Sequence, residues 1–170
     1  DSKHSVTQVP KRRFMMKEIN LNQIAAMNMI YQRYSFDYFL DSLDRLEIDN
    51  FEIWTGAPHL NNFVSSLSDA SIVRKKVEER GKKIVCLTPE QCLYPYNIAA
   101  ADEGLRDLSL EYFLKYIDMT AQLGCEKMLC CAGWGNYDDK FEDSWKRSVD
   151  CLNVMVERAK RAGVILAFEI

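Results

Sequence analysis

The chain has 170 residues, of which 48% are hydrophobic and 28% charged, the proportions of an ordinary globular protein. A net charge of −3 gives no electrostatic footprint for nucleic acid, and no apolar run is long enough to span a membrane. The six cysteines form no CxxC pair and have no regular spacing, so we interpret them as reduced thiols of a cytoplasmic protein. Nucleic-acid-binding, membrane and disulfide-rich secreted classes are therefore disfavoured.

Residues 1–15 are predicted to be a disordered leader. They are mostly polar, carry a basic cluster at Lys11, Arg12 and Arg13, and lack the apolar region of a secretory signal. Met15 or Met16 is a plausible natural start. Residues 16–170 are therefore assigned to a single domain.

The rest of the chain alternates between short apolar runs and longer amphipathic segments. The apolar runs, which predict strands, lie at residues 24–30, 51–54, 84–87, 128–132 and 164–170. Four helices are predicted between them: one capped by Ser35, one over residues 70–80, one capped by Ser109 and one over residues 141–162. The last helix carries Trp145, Val149, Leu152, Val156 and Ala159 on one face.

The last apolar run reads Val-Ile-Leu-Ala-Phe-Glu-Ile, the pattern of a parallel strand buried on both faces. It contains one carboxylate, Glu169, near its carboxyl end. A buried carboxylate is costly without a partner or a function, and the carboxyl ends of parallel strands are where α/β folds place their chemistry. Glu169 is therefore a candidate functional residue, with a solvated strand end as the alternative.

Strict alternation of strand and helix fits either an open doubly wound sheet or a (β/α) barrel. The sequence has no GxGxxG and no Walker loop, so no nucleotide cofactor is expected. The loops after the strands are long and rich in aromatic residues, proline and glycine, as at residues 88–97 and 133–137, whereas the loops after the helices are short. This asymmetry favours a barrel, and because a complete barrel needs about 250 residues, the chain is predicted to be a TIM barrel truncated after its fifth strand.

Five segments together resemble a known family. They are Phe-Glu-Ile-Trp-Thr-Gly-Ala-Pro-His at residues 51–59, Leu-Thr-Pro-Glu at 87–90, Tyr-Pro-Tyr-Asn at 94–97, Gly-Trp-Gly at 133–135 and Leu-Ala-Phe-Glu at 166–169. In this order and spacing they resemble the sugar isomerase/epimerase family with the xylose-isomerase-like TIM barrel. Within the family the likeness is to the ketose 3-epimerases, the group that includes fructoselysine 3-epimerase.

The resemblance implies a divalent metal at the carboxyl mouth of the barrel, Mn²⁺ foremost, with Mg²⁺, Co²⁺ and Zn²⁺ as alternatives. Glu169 matches the family's strand-five glutamate, which is both a metal ligand and an acid–base group. The family's other three ligands, one of which is its second acid–base glutamate, would follow Ile170. The implied reaction removes a proton next to a ketose carbonyl through an enediolate, which a hard cation stabilises while two carboxylates act as base and acid.

Seven residues of the strand-to-helix loops are candidate substrate contacts: Trp54, His59, Glu90, Tyr94, Tyr96, Asn97 and Trp134. The aromatic side chains could form an apolar wall under a sugar, and the polar ones could hydrogen-bond its hydroxyls. The alternatives are packing of the barrel top for the aromatic residues, and surface or turn-forming positions for the polar ones.

The expected ligand is a sugar or sugar phosphate, and the chain is expected either to form a homo-oligomer or to lack a C-terminal half. An inosose dehydratase of the same fold is the nearest enzymatic alternative. An abasic-site endonuclease is disfavoured because His4 and His59 are the only histidines and the net charge is negative. The remaining alternative is a non-catalytic truncated paralogue that acts by association.

Overall fold

The computed structural model describes residues 19–61, 64–91 and 96–169. The predicted leader, residues 1–15, and the candidate residue Tyr94 lie outside these ranges. Within them strands and α-helices alternate along the chain: β1 (Ala26–Met27), α1 (Phe36–Arg45), β2 (Asn50–Thr55), α2 (Leu67–Glu79), β3 (Lys83–Pro89), α3 (Glu103–Gln122), β4 (Lys127–Cys131), α4 (Phe141–Ala162) and β5 (Ile165–Glu169). Two short 3₁₀ helices, Leu21–Gln23 and Asn28–Tyr31, flank β1.

The five strands form one parallel sheet in the order β1-β2-β3-β4-β5. Each strand pairs with the next one along the chain, so all carboxyl ends lie at the same edge. A doubly wound sheet would reverse its strand order at a switch point. The sequential order is that of a barrel wall, and it agrees with the predicted α/β fold class.

The core lies between the sheet and the helices, where Phe39, Phe51, Phe113 and Tyr116 are fully buried. Helix α1 begins as predicted, with the Ser35 hydroxyl accepting a hydrogen bond from the Tyr38 amide at 3.1 Å. The Phe39 ring then meets Phe51 of β2 edge-on, with 5.3 Å between ring centroids. None of the helices in the described ranges is long and apolar enough to cross a lipid bilayer.

The first strand is shorter than the predicted run over residues 24–30. Strand β1 ends at Met27, because Asn28 turns the chain into a 3₁₀ helix. Its side-chain oxygen accepts from the Trp54 amide at 2.6 Å, and its side-chain nitrogen donates to the Trp54 carbonyl at 2.9 Å. The Asn28 side chain thus supplies hydrogen bonds that a longer β1 backbone would have given to β2.

The prediction that Ser109 caps the third helix was wrong. Helix α3 begins at Glu103, and its cap lies seven residues earlier than predicted: the Asp102 carboxylate accepts from the Leu105 amide at 2.7 Å. Ser109 is buried inside the helix. Its hydroxyl donates to the Leu105 carbonyl at 2.6 Å and accepts from the Asn97 amide at 2.8 Å, so it holds the preceding loop.

The apolar face predicted for α4 is buried only in part. Trp145 is 61% exposed and Val149 is exposed as well, whereas Leu152 is half-buried against the core and Ala159 is buried. The residues that face the sheet are Ser144, Ser148, Cys151, Met155 and Ala159. Near the start of α4 this face carries the small side chains of Ser144 and Ser148, because the helix packs closely there on the loop after β4. The Ser148 hydroxyl donates to the Ala132 carbonyl at 2.6 Å, and a Cβ on Gly135 would lie 2.7 Å from the Ser144 hydroxyl.

Strand β5 is not buried on both faces as predicted. Ile165 is 58% exposed and Phe168 is 48% exposed. In the part of the chain that the structure describes, β5 pairs with β4 alone, so one of its edges and part of each face are left uncovered.

Candidate active site

The carboxyl ends of β3, β4 and β5 place two carboxylates in one row. Cys131 is paired with Glu169 across β4 and β5, and Leu87 is paired with Met128 across β3 and β4. Glu90 comes directly after β3, which ends at Pro89, so Glu90 and Glu169 lie at the same edge of the sheet. Strand β4 lies between β3 and β5, so the two residues are two strands apart.

Glu169 is the exposed member of this row. It lies at the carboxyl end of β5, as predicted, and makes no side-chain hydrogen bond or ion pair with the other described residues. A free carboxylate oxygen at this edge fits one ligand position of a hard divalent cation. Residues 19–61, 64–91 and 96–169 contain no cluster of three or more His, Cys, Asp and Glu side chains able to hold a metal, so Glu169 fits as a single donor and not as a complete site.

Trp54 and Glu90 are brought together, but both are buried. The indole nitrogen of Trp54 donates to a carboxylate oxygen of Glu90 at 2.6 Å, and Glu90 is only 3% exposed. The Tyr112 hydroxyl donates to the Glu90 carbonyl at 2.7 Å. A Cβ on Gly56 would lie 1.8 Å from the Trp54 ring, so glycine is required under the indole. Glu90 therefore holds the Trp54 indole against the strand ends.

His59 is buried with both ring nitrogens in hydrogen bonds. Its Nδ1 lies 2.9 Å from the Asn28 side-chain nitrogen, and its Nε2 lies 2.9 Å from the Tyr34 carbonyl oxygen. An amide nitrogen only donates and a carbonyl only accepts, so the proton is on Nε2. Burial lowers the pKa of His59 below its usual 6.5, which favours the same neutral form. The ring ties the loop after β2 to the segment after β1.

Tyr96, Asn97 and Trp134 meet where the loops after β3 and β4 touch. Tyr96 is buried and stacks on Tyr112, with 3.6 Å between ring centroids. The Asn97 side chain donates to the Trp134 carbonyl at 2.8 Å and accepts from the Trp134 amide at 3.1 Å. Trp134 itself is 53% exposed and lines two neighbouring hollows of about 320 and 410 Å³. Of the described aromatic candidates, Trp134 is the one open to a ligand.

Sequence reasoning missed three residues that shape this edge. Asn28 joins β1 to β2 and contacts His59, and its only signal is that it is a polar residue within an apolar run. Gln91 accepts from the Cys131 amide at 2.7 Å, and thereby fixes the end of β4 to the loop after β3. The Thr88 hydroxyl donates to the Glu52 carboxylate on the neighbouring strand.

The cysteines near this edge are not poised as nucleophiles. Burial raises the pKa of the Cys86 thiol to about 11 and that of Cys130 to about 12. Both thiols therefore stay protonated at neutral pH, and a thiolate is the form that attacks or binds metal. Of the candidate residues that the structure describes, Glu169 and Trp134 are the exposed ones at this edge.

The sequential parallel sheet, with the Glu169 carboxylate and the Trp134 indole exposed at its carboxyl edge, is the wall of a (β/α) barrel. The chain belongs to the xylose isomerase-like TIM barrel family, whose sequence profile matches residues 40–170. The predicted family and fold are thereby confirmed.

Relatives and solved structures agree with this assignment. Fructoselysine 3-epimerases of Shigella flexneri and Escherichia coli O157:H7 are each 28% identical to the chain over 141 residues, which are 82% of this chain and 50% of theirs. The chain therefore spans about half the length of these curated relatives. An L-ribulose 3-epimerase structure superposes with a TM-score of 0.70 at 23% identity, covering 86% of this chain and 49% of that one. A D-tagatose 3-epimerase-like protein gives 0.71 at 15% identity, over 85% and 51% of the two chains; these two likenesses concern the fold.

Proposed function

We propose that the intact protein is a ketose epimerase or isomerase that moves a proton on the carbon next to the carbonyl. The observation that carries this proposal is the free, exposed Glu169 carboxylate at the carboxyl end of β5, in a chain whose family includes sugar epimerases. Relatives whose names specify fructoselysine, L-ribulose and D-tagatose support a ketose or a ketose derivative, phosphorylated or not, as the substrate class.

In this proposal Glu169 removes or returns the proton, and the Trp134 indole forms an apolar wall against the sugar ring. A divalent cation, Mn²⁺ foremost, with Mg²⁺, Co²⁺ or Zn²⁺ as alternatives, would bind Glu169 and supply positive charge beside the substrate oxygens. The remaining ligands, and the acid–base group for the opposite face of the sugar, would come from outside the described residues. No nucleotide cofactor is required, and the proposed location is the cytoplasm, where cysteine side chains stay reduced.

The test is carried out on the full-length natural protein, loaded with Mn²⁺ and incubated with a panel of ketoses in D₂O. We expect NMR to show deuterium entering C3, with the mass of the sugar otherwise conserved. Glu169→Gln removes the base and should abolish the exchange, whereas Glu111→Gln, on the exposed face of α3, should keep it. A wild type that incorporates no deuterium from any ketose rules the proposal out, and loss of water from the product identifies a dehydratase instead.

A second function, association without catalysis, is favoured by the uncovered edge of β5 and the exposed bulky flank of α4. If the natural protein has the mass of this chain and is catalytically silent but bound to a partner, this second function replaces the first. The mass of the natural protein and the incorporation of deuterium into a ketose thus distinguish the two proposals.

A further inference from the structure

Asn97 connects three parts of the molecule. Its backbone amide donates to the Ser109 hydroxyl inside α3 at 2.8 Å, so its position is set by a long helix. Its side-chain oxygen accepts from the amides of Ala99 at 3.0 Å and Trp134 at 3.1 Å, and its side-chain nitrogen donates to the Trp134 carbonyl at 2.8 Å. The amide group of Asn97 therefore binds both backbone polar groups of Trp134.

A glycine in the loop after β4 makes this contact possible. Gly133, just before Trp134, has φ of +81°, and a Cβ at that position would lie 2.5 Å from the Asn97 side-chain oxygen and 2.9 Å from the Ala99 amide nitrogen. A side chain there would be strained by the backbone angle and would also push Asn97 away. The backbone of the loop after β4 can approach Asn97 because this residue is glycine.

The burial pattern separates the two residues. Asn97 is only 6% exposed, whereas Trp134 is 53% exposed. The polar atoms of Asn97 are engaged with backbone, so a sugar hydroxyl would have to displace an existing bond to reach them. Trp134 lines both neighbouring hollows, and Asn97 lines only the smaller of them.

We infer that Asn97 is a positioning residue, which fixes the Trp134 backbone so that the indole forms the wall against which a ketose packs. This inference rests on the proposed function and assigns Asn97 a role other than direct sugar binding. A wall contacts substrate and transition state alike, so its displacement raises KM and leaves kcat nearly unchanged. Proton transfer by Glu169 does not depend on this positioning of Trp134.

The first measurement needs no substrate. Hydrogen exchange of the Trp134 amide is followed in the wild type, Asn97→Ala, Asn97→Asp and the control Asn153→Ala, whose side chain is exposed on α4. Asn97→Ala removes the acceptor of the Trp134 amide and should speed its exchange about fivefold, the equivalent of about 1 kcal/mol for one hydrogen bond. Asn97→Asp keeps the acceptor and should be intermediate, and Asn153→Ala should match the wild type. An unchanged exchange rate in Asn97→Ala overturns the inference.

The second measurement is a double-mutant cycle for ketose turnover by the full-length natural protein, with Asn97→Ala, Trp134→Ala and the double variant. If Asn97 acts through Trp134, KM rises in both single variants and the double variant is no worse than Trp134→Ala. Asn97→Asp replaces Asn97→Ala in the cycle if circular dichroism shows that the alanine variant does not fold.

The outcomes of the cycle distinguish the inference from the proposed function. If Asn97→Ala raises KM by the same factor in the Trp134→Ala background as in the wild type, Asn97 contacts the sugar directly, and the inference is overturned. The inference is also overturned if the wild type is active and Trp134→Ala has the same KM as the wild type. The proposed function is not affected by that outcome. A wild type inactive on every ketose removes both.

Discussion

Asn28, His59 and Glu90 are buried polar side chains that hold the strand ends to their loops. Each lies at a position where sequence reasoning expects function or apolar packing, and each has hydrogen-bond partners in a neighbouring strand or loop. His59 and Glu90 could be selected from the sequence because they follow predicted strands. Their partners could not, because Tyr34 and Trp54 come near them only when the loops pack in three dimensions.

The first prediction concerns the pH dependence of stability. Burial lowers the folded-state pKa of His59 below 6.5, so on acidification the unfolded chain takes up a proton before the folded chain does. The stabilisation is complete above about pH 6.5 and is lost as the pH falls through the folded pKa. His59→Gln should reduce the loss of unfolding free energy between pH 7.5 and 5, by at most about 1.4 kcal/mol per pH unit for one proton.

Urea denaturation at several pH values measures this dependence. The matched variant is His4→Gln, at the only other histidine, and it should retain the wild-type pH dependence. If His4→Gln flattens the curve and His59→Gln does not, the assignment to His59 is wrong.

The second prediction concerns the hydrogen bond between Trp54 and Glu90. Glu90→Ala leaves the buried indole N–H without this acceptor, and a buried unsatisfied donor costs about 1–3 kcal/mol. Glu90→Gln keeps an acceptor oxygen and should cost less. Chemical denaturation gives the values, with Glu111→Ala as an exposed control near zero. A cost for Glu90→Ala no larger than that of the control would show that the bond contributes nothing.

At the scale of elements, the positions of the helices followed from the sequence, but the rotation of α4 and the start of α3 did not. Apolar spacing in α4 favoured the side with Trp145 and Val149, because bulk was taken as the sign of burial. The close approach of the loop after β4 instead selects Ser144 and Ser148 for the sheet side. That approach depends on Gly135, whose effect is not visible in helical periodicity.

Ser109 shows the same limit, and leads to the third prediction. A serine before an apolar stripe resembles a helix cap, yet here it lies inside α3 and accepts from the Asn97 amide. Ser109→Ala should destabilise the protein by about 1–3 kcal/mol, because that buried amide loses its acceptor. The comparison is Ser68→Ala, on the exposed face of α2, which should be neutral or slightly stabilising because alanine has the higher helix propensity. Thermal or urea unfolding measures the change in unfolding free energy of each variant. Equal changes in Ser109→Ala and Ser68→Ala would contradict the role of Ser109.

At the scale of the whole molecule, the alternation of elements, the loop asymmetry and the resemblance were enough to predict a parallel barrel wall. The prediction that β5 is buried on both faces assumed neighbours that the described residues do not contain. Phe141 and Trp145 of α4, whose ring centroids lie 5.8 Å apart, are exposed, and so are Ile165 and Phe168 of β5. These exposed apolar side chains are a liability in water, since unpaired strand edges and exposed aromatic residues promote association.

The last prediction is that the 170-residue chain on its own associates through the exposed apolar side chains of α4 and β5. Sedimentation velocity over a hundredfold range of concentration should show a concentration-dependent rise in mass. The double variant Phe141→Ser/Trp145→Ser should shift that rise to several-fold higher concentration, because the removed rings contribute apolar area to the contact at about 25 cal/mol per Å². Leu46→Ser removes an exposed apolar side chain just after α1, away from β5, and should leave the association unchanged. The prediction is wrong if the wild-type chain stays a folded monomer at every concentration. It is also wrong if Leu46→Ser shifts the association as much as the double variant does, because the exposed rings of α4 would then have no specific role in it.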